Sequence, residues 1–106
     1  MTIRGIQFQD FNENQPYARY FVELNNNTYI FIVRWDDYGD FATLNIYDYE
    51  NTPIILGRAL VNNLYIRNSK LPYELFFTQI NQETYEPTID NIENEFALFY
   101  DDEVFV

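Results

Sequence analysis

The chain has 106 residues, a length that fits one domain with a single core. It contains neither cysteine nor histidine, which excludes disulfides, thiol nucleophiles, cysteine zinc sites and the commonest general base. Its net charge of -11 argues against direct binding to nucleic acids or anionic membranes, and no apolar run approaches the roughly 18 residues of a membrane span.

The first part of the chain predicts two strands and a tight hairpin. Residues 3–8 favour a short strand, residues 10–16 form a polar loop, and residues 17–24 favour a second strand because aromatic and β-branched side chains are frequent there. Residues 25–27 are all asparagine, which adopts left-handed backbone conformations more readily than most residues. This triplet therefore predicts a tight turn.

The next strand, predicted over residues 28–35, is apolar on both faces. Side chains on this strand alternate between its two faces. One face carries Tyr29, Phe31, Val33 and Trp35, and the other carries Thr28, Ile30, Ile32 and Arg34. We expect the core to cover one face of this strand and another surface to cover the second.

An acidic turn, DDYGD at residues 36–40, joins this strand to the next predicted strand, at residues 41–48. Three aspartates within five residues resemble part of a calcium-binding loop, but the later bidentate glutamate of such a loop is missing. Aspartate and glycine are also common in hairpin loops, and charge at a strand end resists edge-to-edge pairing. We interpret the turn as the tip of a hairpin and predict no metal site.

The following region predicts further short strands. Residues 54–56 favour a strand that ends at Gly57. Residues 58–70 are compatible either with a helical turn or with an extended edge. Residues 71–80 favour a strand that begins after Pro72.

The C-terminal part predicts one helical turn and one strand. Residues 87–93 favour a helical turn capped by Thr88, because Ile89 and Ile92 lie three residues apart on one side. A last strand is predicted over residues 95–100.

Together these elements predict an all-β fold, a small antiparallel barrel or sandwich of six to seven short strands with one or two helical turns. We expect a single domain over residues 1–106. Residues 1–16 are a candidate N-terminal arm, and residues 101–106 form a short tail of acidic and apolar residues.

The residues that usually carry catalysis do not form a recognisable set. Seventeen acidic residues supply so many carboxylate pairs that no pair indicates glycoside hydrolysis, which also needs a sizeable cleft. Ser69 and Lys70 are adjacent, so on a strand they would point to opposite faces. The three glycines are isolated and form no phosphate loop. We predict a protein that is not an enzyme and has no cofactor.

Aromatic residues are unusually frequent, at 20% of the chain. Ten tyrosines and ten phenylalanines exceed what one small core needs, which favours aromatic side chains at an interface. Four of them near the acidic turn could instead form a sugar-binding platform, or pack across the hairpin within the core. The residues predicted to contact a partner are Trp35, Tyr38, Phe41, Tyr47, Phe21, Ile30 and Ile32.

Several motifs follow one another in an order that resembles the phage baseplate plug family, small all-β tail-tip proteins of bacterial viruses. The motifs are RW at 34–35, LNIYD at 44–48, PIILGRALV at 53–61, NNLYIR at 62–67, LPYELFF at 71–77 and EPTIDNIENEFALFY at 86–100. The resemblance covers about residues 17–100. The chain departs from the family pattern at Ala42, where an aromatic residue is usual, and at Glu93 and Asn94, where a glycine is usual.

The resemblance implies a structural virion protein, made in the bacterial host cytoplasm and present in several copies at the tail tip. It implies contacts with tube, hub or spike subunits that plug or cap the distal tail tube, with no direct binding of nucleic acid and no membrane insertion. Two alternatives remain open at this point. They are a free acidic phage inhibitor of a basic host protein, and a carbohydrate-binding receptor module.

Overall fold

The strands form where aromatic and β-branched residues alternate with polar ones, and the turns between them are supplied mainly by Asn and Asp. The computed structural model describes residues 3–104, and within that range it has eight strands and one short helix. The strands are β1 (Ile3–Ile6), β2 (Tyr17–Leu24), β3 (Asn27–Asp36), β4 (Phe41–Asp48), β5 (Pro53–Leu60), β6 (Leu64–Ile66), β7 (Leu75–Gln79) and β8 (Phe96–Asp101), and the helix is α1 (Ile92–Glu95).

The strands form two antiparallel sheets of four strands each. Consecutive hairpins build the first, in the order β2-β3-β4-β5, which we call the meander sheet. The second, in the order β1-β8-β7-β6, holds the first and last strands and is called the terminal sheet. The predicted small antiparallel all-β fold is confirmed, and of the two predicted forms it is the sandwich, since the described strands do not close into a barrel.

A single apolar core lies between the two sheets. The meander sheet contributes Phe31 and Leu44, and the terminal sheet contributes Phe77 and Phe96, all fully buried. The rings of Phe77 and Phe96 stack with their centroids 5.4 Å apart, and the ring of Phe8 stacks on Phe77 at 6.3 Å. Both sheets therefore direct one face inward and leave the opposite face outward.

The segment predicted as an N-terminal arm contributes to both the sheet and the core. β1 pairs with β8 from Ile3 opposite Asp101 to Ile6 opposite Leu98. The side chains of Phe8 and Phe11 are completely buried. Residues 1–2, and residues 105–106 of the predicted tail, lie outside the described range.

The asparagine turn has the backbone conformation that its sequence predicts. Leu24 pairs with Asn27, so the loop between β2 and β3 consists of Asn25 and Asn26 alone. Their φ angles are 51° and 66°, as a two-residue hairpin turn with two left-handed residues requires. The tight turn is confirmed.

One prediction about the region after residue 53 is wrong, and one alternative left open there is decided. The strand predicted to end at Gly57 continues to Leu60, because Gly57 adopts a φ of 65° within a β-bulge rather than ending the strand. Its backbone N–H donates to Oδ1 of Asn45 at 2.6 Å. Of the two conformations left open for residues 58–70, the extended one is present, and β6 lies within it.

A helical turn is present near the C-terminus, but it covers Ile92–Glu95 rather than the predicted residues 87–93, and it is capped differently. α1 begins after Asn91, whose Oδ1 accepts a hydrogen bond from the backbone N–H of Thr88 at 2.7 Å. Thr88 contributes its carbonyl, which accepts from the N–H of Ile92 at 2.9 Å, and not its hydroxyl. The prediction of a Thr88 side-chain cap is therefore wrong.

Candidate partner interface

The outer face of the meander sheet brings together four of the residues predicted to contact a partner. Phe21 on β2 lies opposite Ile30 on β3, and Ile30 lies opposite Tyr47 on β4. Directly opposed residues of an antiparallel sheet share a face, so these three side chains form one row. Ile32 is the next outward residue along β3. The row is apolar and faces away from the core.

Burial along this row is uneven. The side chain of Phe21 on the edge strand is 63% exposed, whereas Ile30, flanked by Phe21 and Tyr47, is only 3% exposed. Ile32 and Tyr47 are half-buried. An exposed phenylalanine on an outward sheet face is apolar area that a partner could cover.

Two arginines lie on the same outer face. The guanidinium carbon of Arg19 is 5.1 Å from the centroid of the Phe21 ring, and that of Arg34 is 5.8 Å from the Tyr17 ring. Both distances lie within cation–π range. The salt bridges between described residues join Arg4 to Asp102 at 2.7 Å and Arg67 to Glu74, so neither outward arginine is paired with a carboxylate there. We call this surface the arginine–aromatic patch: Tyr17, Arg19, Phe21, Ile30, Ile32 and Arg34.

The strands that carry the patch have no net charge. The strands of the meander sheet carry three acidic residues (Glu23, Asp36, Asp48) and three arginines (Arg19, Arg34, Arg58). The other 14 acidic and 3 basic residues of the chain carry the whole net charge of -11. The patch itself has two positive charges and no carboxylate.

The remaining predicted contact residues lie elsewhere. Trp35 is 7% exposed and packs in the core, directly opposite the fully buried Ala42. Tyr38 is fully exposed on the turn between β3 and β4. Phe41 is the first residue of β4, opposite Asp36 at the end of the hairpin. The structure therefore does not bring Trp35 to the surface with Ile30 and Ile32.

The acidic DDYGD turn is the tip of the β3–β4 hairpin, as its sequence predicts. Oδ1 of Asp36 accepts hydrogen bonds from the backbone N–H of Tyr38 at 2.9 Å and of Gly39 at 3.3 Å. This carboxylate therefore stabilises the turn itself. Over residues 3–104, no three side chains of the metal-binding types lie together in a position to hold an ion. No helix in that range is long and apolar enough to cross a membrane.

A second outward surface, not predicted from the sequence, lies on the terminal sheet. Phe76 on β7 and Phe99 on β8 are opposite each other on its outer face. They line an open cavity of about 460 Å³ together with Ile3, Glu74, Asp101 and Val104. We call it the Phe76–Phe99 pocket and define it by these six residues. Side chains alternate between the two faces along β7 and β8, so Phe77 and Leu98 point inward while Phe76 and Phe99 point outward. This alternation is the sequence signal that could have indicated the pocket.

The acidic character of this pocket comes mainly from the chain end beside it. Glu74 is paired with Arg67 and Asp102 with Arg4, and Asp101, the last residue of β8, supplies a further carboxylate to the lining. Ile3 and Val104 are 57% and 59% exposed. The pocket thus combines an exposed apolar lining with carboxylates.

A polar network fixes the loop between β7 and α1. Oδ1 of Asn62 accepts from the backbone N–H of Gln79 at 3.0 Å and from the hydroxyl of Thr78 at 3.1 Å. Its Nδ2 donates to the carbonyls of Glu83 at 3.0 Å and Tyr85 at 3.2 Å. The side-chain amide of Asn62 thus supplies hydrogen-bond partners both to buried groups of β7 and to carbonyls of the adjacent loop.

Several tyrosines have raised pKa values. Burial is the main cause of the raised pKa of Tyr20, whose hydroxyl donates to the carbonyl of Gln9 at 2.7 Å. Burial likewise raises the pKa of Tyr29 and Tyr100. The pKa of Tyr85 is raised mainly by the hydrogen bond that its hydroxyl donates to Glu95. These hydroxyls all favour the neutral form.

Comparison with known families gives one match that spans both outward surfaces. A family model described as the cyanophage baseplate Pam3 plug gp18 matches residues 6–103. A search of curated proteins finds no match. The matched range contains every strand except β1 and nearly all residues of the patch and the pocket.

Proposed function

Because the chain belongs to the cyanophage baseplate plug family, we propose that it plugs or caps the distal end of a phage tail tube through contacts with tube, hub or spike subunits. The match over residues 6–103 is the observation that carries this proposal, and it supports a structural role in a phage baseplate. Such a role places the chain among other baseplate or tail proteins at the virion tail.

The geometry supports a role in assembly. Two outward surfaces expose large apolar side chains, with Phe21 at 63% on one and Val104 at 59% on the other. Exposed apolar patches on a small protein are typical of surfaces that a partner covers. We propose that the predicted contact residues Phe21, Ile30, Ile32 and Tyr47 form part of such an interface. We further propose that each virion contains several copies of the chain and that these copies are synthesised in the host cytoplasm.

We also propose that the chain performs no catalysis and that its charge assists the plug. A net charge of -11 on a protein that closes a DNA conduit would repel the DNA and reduce its adhesion. The carbohydrate-binding alternative depended on an exposed aromatic cluster around Trp35, and that side chain packs in the core.

Quantitative mass spectrometry of purified tails tests the proposal. We expect the chain at a small, fixed ratio to the tube subunit. If the chain is absent from tails but abundant in infected cells, the plug proposal fails and the free inhibitor of a basic host protein takes its place.

A further inference from the structure

We propose that copies of this chain associate head to tail, with the arginine–aromatic patch of one copy docked on the Phe76–Phe99 pocket of the next. This inference goes beyond the proposed position in the tail and does not depend on it. It concerns what the chain does with a second copy of itself in solution.

The two surfaces face in opposite directions. The patch lies on the outer face of the meander sheet and the pocket on the outer face of the terminal sheet, with one core between them. The body measures 33 × 30 × 19 Å along its principal axes. A broad face of 33 × 30 Å can supply the roughly 800 Å² per partner that a specific interface buries.

The chemistry of the two surfaces is complementary. The patch presents an exposed phenylalanine, Phe21, next to Arg19 at one end of the patch, with Arg34 at the other end. No described carboxylate forms a salt bridge with either arginine. The pocket presents a concave apolar lining around a cavity of about 460 Å³, and the carboxylate of Asp101 is among its lining residues. An apolar anchor entering an apolar cavity, with arginines meeting carboxylates around it, is a common arrangement at protein interfaces.

Charge favours the contact between patch and pocket over the two symmetric contacts, patch against patch and pocket against pocket. Two copies of a chain with net charge -11 repel each other at long range, so a contact needs local attraction to form. Patch against patch would bring four arginines together, and pocket against pocket would bring together the Asp101 carboxylates of both copies. Patch against pocket pairs opposite charges. Because the two surfaces differ, the contact is heterologous and leads to a ring or an open stack.

Two double variants and their mixture test the proposal. Arg19→Glu with Arg34→Glu reverses the charge of the patch, and Ile3→Arg with Val104→Arg adds positive charge to the pocket. All four side chains are exposed, so both variants should fold, which circular dichroism checks. Arg58→Glu with Lys70→Glu, both exposed, is the matched control because it has the same net charge as the patch variant.

Sedimentation velocity over a range of concentrations gives the readout. We expect the wild type and the control to self-associate, and each surface variant alone to remain monomeric. The equimolar mixture of the two variants should associate again, since each variant retains one intact surface. Head-to-tail contact predicts this rescue, and a symmetric contact predicts none.

Two results would overturn the proposal. In the first, the wild type remains monomeric at its highest soluble concentration; in the second, the wild type associates but the mixture does not. If the first is found and the patch variant is also lost from purified tails, the patch belongs to an interface with a different, acidic baseplate protein. Presence of the wild-type chain in tails is measured separately, so failure here leaves the proposed function standing.

Discussion

The ring of Phe41 lies against the backbone of Gly39 so closely that a Cβ on Gly39 would be 2.0 Å from Cε1 and 2.4 Å from Cδ1 of that ring. No side chain fits at position 39 while the ring keeps this place. Phe41 is half-buried on the first residue of β4. The hairpin tip therefore requires a glycine because of where one aromatic ring packs, and not because of its backbone angles.

Gly39→Ala should displace the Phe41 ring and lower the free energy of unfolding by about 1 kcal/mol, the usual cost of mild overpacking. Urea denaturation would measure it. The control is the same substitution in a Phe41→Ala background, where the obstacle is gone and the change should be close to neutral. Equal costs in the two backgrounds would contradict the packing explanation.

Trp35→Ala should destabilise the protein by about 3–5 kcal/mol, because it removes a large side chain from the core between the sheets. Tyr38→Ala, at the fully exposed turn, should change stability by less than about 0.5 kcal/mol. Trp35 is the one tryptophan of the chain, so its fluorescence reports the unfolding transition in the wild type and in Tyr38→Ala. Circular dichroism follows all three proteins. Similar stability of both variants would place Trp35 outside the core.

Asn62→Ala should cost about 1–3 kcal/mol, because the buried N–H of Gln79 loses its acceptor. Amide hydrogen exchange should also speed up at Glu83 and Tyr85, whose carbonyls lose their donor. Asn14→Ala, in an exposed loop, is the control and should change neither quantity. Unchanged exchange in the loop after Asn62→Ala would show that other contacts hold it.

Stability should fall in alkaline solution because of the buried tyrosines. The pKa of Tyr20 is raised in the folded protein above the ordinary value of 10.0, so the unfolded chain loses this proton first as the pH rises. The stabilising contribution is complete below about pH 10 and is lost above it, toward the raised folded pKa. Tyr29 and Tyr100 act in the same direction.

Chemical denaturation between pH 8 and 11 would measure this loss, with tyrosinate absorbance reporting ionisation. Tyr20→Phe should weaken the pH dependence while removing one hydrogen bond worth about 1 kcal/mol at neutral pH. If the free energy of unfolding of Tyr20→Phe falls with pH as steeply as that of the wild type, Tyr20 does not contribute to the alkaline loss of stability.

The absence of cysteine allows a clean test of which surface is covered in the virion. Phe21→Cys should react with a maleimide in the free chain and be protected in assembled tails, because the proposed interface covers Phe21. Tyr49→Cys, at a turn and 69% exposed, is the matched control and should react in both. Rapid labelling of both cysteines in intact tails would remove Phe21 from any baseplate contact.

The strands were predictable where the pattern and the turn chemistry agree. β2 and β4 have the predicted ends, because β2 lies between Pro16 and Asn25 and β4 between Asp40 and the turn after Asp48, residues that favour turns. β5 was predicted too short because a glycine within a strand can mean either a stop or a bulge. The hydrogen bond from Gly57 to Asn45 decides between them, and the sequence does not reveal it.

The partner surface was only partly predictable, and β3 shows why. Its alternation separates Trp35 from Ile30 and Ile32, since residues an odd number apart point to opposite faces. With both faces apolar, the pattern could not say which of them is the core. The inward face is determined by the terminal sheet, which packs against the face of β3 that carries Phe31 and Trp35. The alternation within β7 and within β8 indicates that Phe76 and Phe99 point outward, but the pairing that brings the two rings together is not encoded locally.

The two edges of the meander sheet differ in a way that affects handling of the protein. β5 is broken by register shifts around Ile46, so its outer edge offers no regular ladder to a foreign strand. β2 pairs without interruption from Tyr17 to Leu24, and its outer edge is regular over eight residues. Unwanted strand addition, and the aggregation that follows from it, would therefore start at β2. A proline or lysine directed at that edge is the substitution to choose when the isolated chain must stay dispersed.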